Sequence, residues 1–236
     1  MSTTRELTRI TECPLCGADA DSGKLIHNQV DLVVCECKLV YQQMYMTQKE
    51  NEEFYKNEYR LAVPPYKKDM DAINIIQEEN RGKKNNDVLI DFGIEPKKHL
   101  DVGSSSGYFS MMLKDTYGCA SIGVEPYDLF REFSISQGVN TVEDISEVNG
   151  KFDLITIVHV LEHLLNPLEM LSNIANLLED DGHLFVEVPF MMLCLSHPLL
   201  FHGTTLKKML NKANFEILRL ELRDNKDIWA MATHSN

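Results

Sequence analysis

The spacing of apolar residues changes along the chain, and each change marks an element. Leu100 and Val102 are the apolar positions at the end of a strand. Beyond Gly107 the spacing switches to Phe109, Met112 and Leu113, one face of a helix. From Lys97 onward this alternation repeats. It predicts strands at 98–102, 120–125, 140–142, 153–158, 182–188, 215–222 and 228–233, with helices at about 107–117, 127–136, 166–179 and 204–213. Repeated strand–helix units imply an α/β fold, a parallel sheet covered on both faces. The turn-like Arg223-Asp224-Asn225-Lys226 joins the final two strands as a hairpin, so the last strand is expected to run antiparallel.

Before Lys97 the pattern is shorter and more polar. Lys24-Leu25-Ile26-His27 and Leu32-Val33-Val34-Cys35 read as two strands of a small ribbon, which Leu39-Val40-Tyr41-Gln42-Gln43 leaves. Thr47 caps a polar helix reaching about Asn57. A tyrosine-rich connection follows, with Tyr55, Tyr59 and Pro64-Pro65-Tyr66. A helix with apolar Met70, Ile73 and Ile76 comes next; Gly82 and the Lys83–Asn86 run interrupt it, and it resumes through Val88, Leu89 and Phe92. Three regions are therefore expected: a ribbon over 1–45, a helical linker over 46–96 and a core over 97–236.

The ribbon carries Cys13-Pro14-Leu15-Cys16 and Cys35-Glu36-Cys37. Four thiolates from two short turns suit a tetrahedral, structural zinc ion, and a module this small needs such an ion to hold it together. His27 is an alternative ligand to Cys35 or Cys37, whereas Cys119 and Cys194 lack such neighbours. The charge balance is acidic, 23 Lys and Arg against 36 Asp and Glu for a net −13. That disfavours general binding to nucleic acid or to an anionic membrane. Without a membrane-length apolar run or a signal-type opening, a cytoplasmic protein with reduced cysteines is expected.

The turn Asp101-Val102-Gly103-Ser104-Ser105-Ser106-Gly107-Tyr108 presents backbone N–H groups at a helix start. It lacks Gly-Lys-Ser/Thr, which excludes a nucleotide P-loop, and Gly-x-x-x-Gly differs from the dinucleotide fingerprint. Asp101 would repel a pyrophosphate. It suits a ligand bearing an ammonium group, such as the methionine part of S-adenosylmethionine. Glu125 ends the second strand, where an acid in nucleoside-binding α/β folds takes the ribose hydroxyls.

Asp-x-Gly-x-x-x-Gly, then Gly123-Val124-Glu125-Pro126, then the run from Phe152 to His163 resemble a class I S-adenosylmethionine-dependent methyltransferase over roughly residues 85–233. Ser105 stands where the usual Gly-x-Gly-x-Gly has its middle glycine. The resemblance implies a Rossmann-like seven-stranded methyltransferase sheet. It also implies cofactor contacts from Asp101, Gly103, Ser105, Gly107, Tyr108 and Glu125, with Pro126 and Tyr127 flanking the adenosine. Of Glu143 and Asp144, the latter is favoured for the adenine amino group, with Ile145 against the ring. The zinc ribbon and the segments after it resemble those of methyltransferases in which such segments fold over the cofactor as a lid.

His159-Val160-Leu161-Glu162-His163 follows the fourth strand, where this fold places its acceptor. His159 is read as a general base. The alternative is a divalent metal held by His159, Glu162 and His163; the quinone-ring O-methyltransferases that resemble this stretch carry Glu in place of His159. The Ser196–Thr204 stretch resembles a His-containing segment of sugar methyltransferases, which makes His197 and His202 candidates to bind or deprotonate the acceptor. His202 ranks second and His163 third as the base. The expected reaction is O-methylation of a sugar or nucleotide sugar in surface-glycan or secondary-metabolite biosynthesis. A ribosomal RNA or quinone-type methyltransferase is the alternative enzyme, and a noncatalytic zinc-dependent binding module the alternative outside enzymes.

Overall fold

In the computed structural model, which describes residues 5–27, 30–59 and 72–235, the strand–helix alternation resolves into a sheet of order β12-β13-β10-β9-β6-β7-β8. In chain order the strands are β1 (Leu7–Arg9), β2 (Lys24–His27), β3 (Asp31–Val34), β4 (Val40–Gln42), β5 (Met44–Met46), β6 (Lys98–Val102), β7 (Ala120–Val124), β8 (Asn140–Val142), β9 (Phe152–Val158), β10 (Leu178–Pro189), β11 (Leu199–Leu200), β12 (Phe215–Arg223) and β13 (Asp227–His234). The helices are α1 (Gln48–Asn57), α2 (Ala72–Phe92), α3 (Tyr108–Tyr117), α4 (Asp128–Ser136), α5 (Pro167–Leu177) and α6 (Gly203–Lys212). β6, β7 and β8 pair in parallel, while β13 runs antiparallel to both β10 and β12.

The chain divides into two compact units: Glu52–Thr156 with Leu177–Glu179, and Met1–Asn51 with Ile157–Asn176 and Asp180–Asn236. In the first unit Leu100, Leu113, Leu154 and Ile155 are fully buried. Each such side chain stabilises the fold by about 1.5–3 kcal/mol relative to exposure. The Asp153 carboxylate accepts from the Lys97 and Lys98 N–H groups at 2.8 and 3.1 Å, which fixes where β6 begins.

Two expectations about helices are corrected. α2 runs unbroken through Gly82 and Lys83–Asn86. Gly82 faces α3: a Cβ there would be in ordinary van der Waals contact, 3.4–3.5 Å from Met112, Phe109 and Tyr108. Lys83 pairs with Glu79 one turn earlier, and Asn86 accepts from the Tyr117 hydroxyl. Packing thus overrides the roughly 1 kcal/mol helix penalty of Gly. In addition, α5 ends at Leu177 and β10 begins at Leu178, earlier than the apolar run at 184–188 suggested. Phe54, Tyr55 and Tyr59 cluster at ring-centroid separations of 4.7–5.8 Å. The Pro64–Met70 part of the connection lies outside the described residues.

In the second unit, β2, β3, β4 and β11 form an antiparallel sheet of order β11-β4-β3-β2. Val40–Gln42 therefore does not leave the ribbon but extends it, pairing with β3 on one side and with β11 on the other. Tyr41 is fully buried, and a strand with both neighbours in place leaves no open edge there. β1 pairs with β5 in a separate two-stranded sheet. The α6 lysines reach the cysteine turns: Lys208 donates to Cys37 O and Lys212 to Leu15 O, at 2.9 and 2.7 Å.

Candidate functional site

Beyond β6 the backbone makes a tight loop, with Gly103 at φ 80°, Ser105 at φ 50° and Gly107 at φ 75°. The N–H groups of Gly103 and Ser104 both lie within 3.0 Å of Val124 O. At Gly107 a Cβ would come within 2.2 Å of Ser134 Oγ, so glycine is required by space as well as by φ. Glu125 spans this loop and its own turn. One carboxylate oxygen accepts from Ser105 N–H at 2.9 Å and the other from Tyr127 N–H at 3.0 Å. Arg131 donates to the carbonyls of Glu125 and Pro126, which fixes the turn behind the carboxylate.

Asp101 is held by a chain of hydrogen bonds. The Thr156 hydroxyl donates to Asp101 Oδ1 at 2.6 Å and lies 2.8 Å from His99 Nε2; His99 Nδ1 lies 3.2 Å from Ser121 Oγ. Thr156 has one proton to give, so His99 Nε2 carries the hydrogen and Nδ1 accepts. Burial holds His99 neutral, its pKa lowered to about 3. Burial likewise pushes the Asp101 carboxyl up to about 7, and the neighbouring Glu78 and Glu125 add to the rise. A cationic group beside Asp101 would offset that cost. Glu78 accepts from the Ser105 and Ser106 hydroxyls, while the buried Ser104 hydroxyl has no hydrogen-bond partner. An orphaned hydroxyl, an acid that is expensive to ionise and a second acid at a strand end fit an ammonium-bearing nucleoside such as S-adenosylmethionine. Tyr108 opens α3. Asp144 caps the short turn Ile145–Glu147, its Oδ1 accepting from Ser146 N–H, and Ile145 is buried beneath it; Glu143 pairs with Lys56 and Arg131.

In the second unit the motif after β9 divides. His159 adopts φ 54°, and its N–H donates to Glu187 O at 2.8 Å. Its ring stands among three carboxylates: Nδ1 is 3.5 Å from Glu162 Oε1, while Nε2 is 3.4 Å from Glu187 Oε1 and 3.6 Å from Asp227 Oδ1. Arg223 clamps Glu187 at 2.6 Å and lies over the Trp229 ring. His163 turns elsewhere. It is buried beside His197, with ring centroids 4.7 Å apart, and burial lowers its pKa to about 4. Burial opposes ionisation of Glu162, yet His163, His159 and His197 together hold its carboxyl below the usual range. His202 caps α6, its N–H donating to Thr205 Oγ1 and its carbonyl accepting from the Thr205 hydroxyl.

The four cysteines come together as two close sulfur pairs, Cys13–Cys37 at 3.6 Å and Cys16–Cys35 at 3.4 Å, without a disulfide. A tetrahedral zinc–thiolate site has sulfur–sulfur edges of about 3.8 Å, so this set fits such an ion. His27 instead pairs with Asp31.

Glu78, Thr156, Glu187, Arg223 and Asp227 are not among the site residues expected from the sequence. Thr156 and Glu187 had a signal, a single polar residue inside an apolar strand run. Glu78, Arg223 and Asp227 sit in polar stretches and had none.

Curated relatives match the core in part. The tRNA U34 carboxymethyltransferase of Syntrophotalea carbinolica is 31% identical over 105 residues, covering 40% of this chain and 32% of its own length. The ubiquinone biosynthesis O-methyltransferase of Haemophilus ducreyi is 30% identical over 139 residues, covering 52% of this chain and 58% of its own. The chain thus spans between a third and three fifths of these relatives. Among solved structures, the magnesium protoporphyrin IX methyltransferase of Synechocystis PCC 6803 with bound SAH superposes at a TM-score of 0.62 with 14% identity, covering 80% of this chain and all of that one. The methyltransferase domain model matches residues 77–220, more than half of the sequence. The chain belongs to the methyltransferase domain family and has its class I fold.

Proposed function

We propose that the protein binds S-adenosylmethionine through Asp101, Gly103, Ser105, Gly107, Tyr108, Glu125, Pro126, Asp144 and Ile145, and methylates a hydroxyl of a small polyhydroxylated acceptor of the sugar or nucleotide-sugar class. The observation that carries the acceptor class is the setting of His159. Its imidazole is half-buried among Glu162, Glu187 and Asp227, and Asp227 is 28% exposed. Carboxylates beside a base accept hydrogen bonds from neighbouring hydroxyls, which orients a polyol and leaves one hydroxyl for the imidazole. Bound S-adenosylmethionine supplies an electrophilic methyl group. The task of this chain is then to orient the acceptor and take its proton at His159 Nε2. His202 and His163 rank behind it, the first because its described contacts are those of a helix cap, the second because it is buried.

The Cys13, Cys16, Cys35 and Cys37 set is read as a structural zinc site. The net charge of −13 supports a small-molecule acceptor over nucleic acid, and a cytoplasmic setting is the reading kept from the sequence. Among the described residues no helix is long and apolar enough to cross a membrane. One observation favours a second acceptor class: Phe190, Met191, Met192 and Leu195 are exposed just beyond β10, a surface suited to an apolar ring such as a quinol.

The test is a methyl-transfer assay with a panel of nucleotide sugars and quinols. Turnover on a nucleotide sugar, lowered ~10²–10⁴-fold in His159→Ala with cofactor affinity retained, is expected. Turnover on quinols alone overturns the sugar reading, and an unimpaired His159→Ala enzyme removes His159 as the base.

A further inference from the structure

We propose that His99 and Thr156 are positioning residues for the cofactor-facing acid: the buried imidazole turns the Thr156 hydroxyl into a donor reserved for Asp101. The proposal rests on Asp101 being the acid that meets S-adenosylmethionine.

The strands dictate the arrangement. His99 and Asp101 are two apart on β6, so both side chains stand on one face of the sheet. β9 lies on one side of β6 and carries Thr156; β7 lies on the other and pairs Ser121 directly with His99. His99 and Thr156 are wholly buried, and the Phe109 ring of α3 meets the imidazole edge-on at 5.6 Å. Interior strands of a parallel sheet are apolar by default. Phe and Val would fill these two places without burying a polar group. Instead Ser121, His99, Thr156 and Asp101 form one line of polar contacts across three strands, and its last member is the acid at the end of β6.

The direction of that line carries the assignment. A hydroxyl has one hydrogen to give and lone pairs to accept others. Thr156 Oγ1 lies 2.6 Å from Asp101 Oδ1 and 2.8 Å from His99 Nε2, so its hydrogen has two claimants. Ser121 Oγ, 3.2 Å from His99 Nδ1, decides between them. By donating to Nδ1 it keeps the imidazole hydrogen on Nε2. That N–H occupies a lone pair of Thr156, and the hydroxyl hydrogen is left to Asp101. Each donor in such a chain polarises the next and strengthens the last bond.

The neighbouring charges make this bond matter. Glu78 from α2 and Glu125 beyond β7 both face Asp101 with its own sign and oppose its ionisation, as burial does. The Thr156 hydroxyl acts the other way. His99 adds no charge, because burial lowers its pKa to about 3. Cys119 Sγ, the remaining titratable neighbour of Ser121, is a longer 3.9 Å from its hydroxyl. The imidazole therefore acts on Asp101 through Thr156 alone.

The experiment is NMR of the aspartate carboxyl carbons and histidine ring nitrogens in the intact chain, beside calorimetry with S-adenosylmethionine. In the wild type at about pH 8, His99 should be neutral with its hydrogen on Nε2. A hydrogen on Nδ1 overturns the proposal, and this reading needs no variant to fold. Thr156→Val should raise the Asp101 titration midpoint by about one pH unit and weaken cofactor binding roughly fivefold at pH 7. Thr156→Ser, which keeps the hydroxyl, should restore both. His99→Phe should raise the midpoint by roughly 0.2–0.6 pH unit in the wild-type background and by nothing in Thr156→Val. A midpoint that His99→Phe leaves in place, or moves equally in both backgrounds, overturns the proposal. Midpoints that move as stated in a protein that fails to bind S-adenosylmethionine overturn the cofactor reading and leave the coupling of His99 to Asp101 standing. Binding with unmoved midpoints does the reverse.

Discussion

Thr156 gives its hydroxyl proton to Asp101 across 2.6 Å, and this places a carboxylate at the end of β6 in a fixed rotamer. The same hydroxyl lies 2.8 Å from His99 Nε2, so the bond to Asp101 is one link of a buried chain. It favours the ionised form, but burial wins, and Asp101 titrates at about 7.

A pH dependence of cofactor affinity follows. An ammonium ligand requires Asp101 ionised. Acidification through pH 7 protonates it, so apparent affinity for S-adenosylmethionine should weaken up to tenfold per pH unit below 7 and level off above. Titration calorimetry between about pH 5.5 and 8.5 checks this; in Asp101→Asn the affinity should be weaker and flat. Stability runs the other way. The folded acid keeps its proton to higher pH than the unfolded chain, so the ligand-free protein loses stability as pH rises from about 4 to 7.

Glu125 ties two backbone N–H groups together at the end of β7, the position from which it is proposed to hold the ribose. Glu125→Ala should weaken S-adenosylmethionine binding by about 1–3 kcal/mol. Calorimetry on the variant, beside its melting temperature, separates lost contact from lost fold. An unchanged affinity rules out the ribose role.

Gly107 is wedged against Ser134. Gly107→Ala should destabilise the protein by about 2–5 kcal/mol, through overpacking and through the positive φ. Adding Ser134→Ala removes the oxygen in the way and should recover the overpacking part, leaving the φ penalty. Denaturant unfolding of the two variants and the pair gives the coupling directly.

Cys13→Ser should release the ion of the cysteine set and expose the amides of β2 and β3 to hydrogen exchange, while β6 and β7 keep their protection. Chelation of the wild type should give the same exchange pattern. Equal protection with and without the four thiolates rules out a structural ion.

The sheet was legible in the sequence because parallel strands and their helices have different periods, and because the Asp101, Glu125 and His159 positions fall at strand ends. The four cysteines were legible from spacing alone. α2 was not, because Gly82 is a helix breaker locally and a packing site only once Met112 and Phe109 stand beside it. The role of Val40–Gln42 was hidden for a like reason: its partner Leu199–Leu200 is two residues long and far along the chain. Glu187 meets His159 because β10 lies beside β9, and Asp227 comes to it through the β10–β13 pairing, neighbours and a register that no local pattern encodes.

The pairing of Val40 with Leu200 and of Tyr41 with Leu199 also sets a timetable. At about 5–20 residues per second, a ribosome adds the intervening stretch in roughly ten to thirty seconds. Through that interval the cysteine-bearing hairpin has one side of its third strand open, a template for any passing extended segment. Early capture of an ion by the thiolates would keep that nascent hairpin folded on itself until its own late strand arrives.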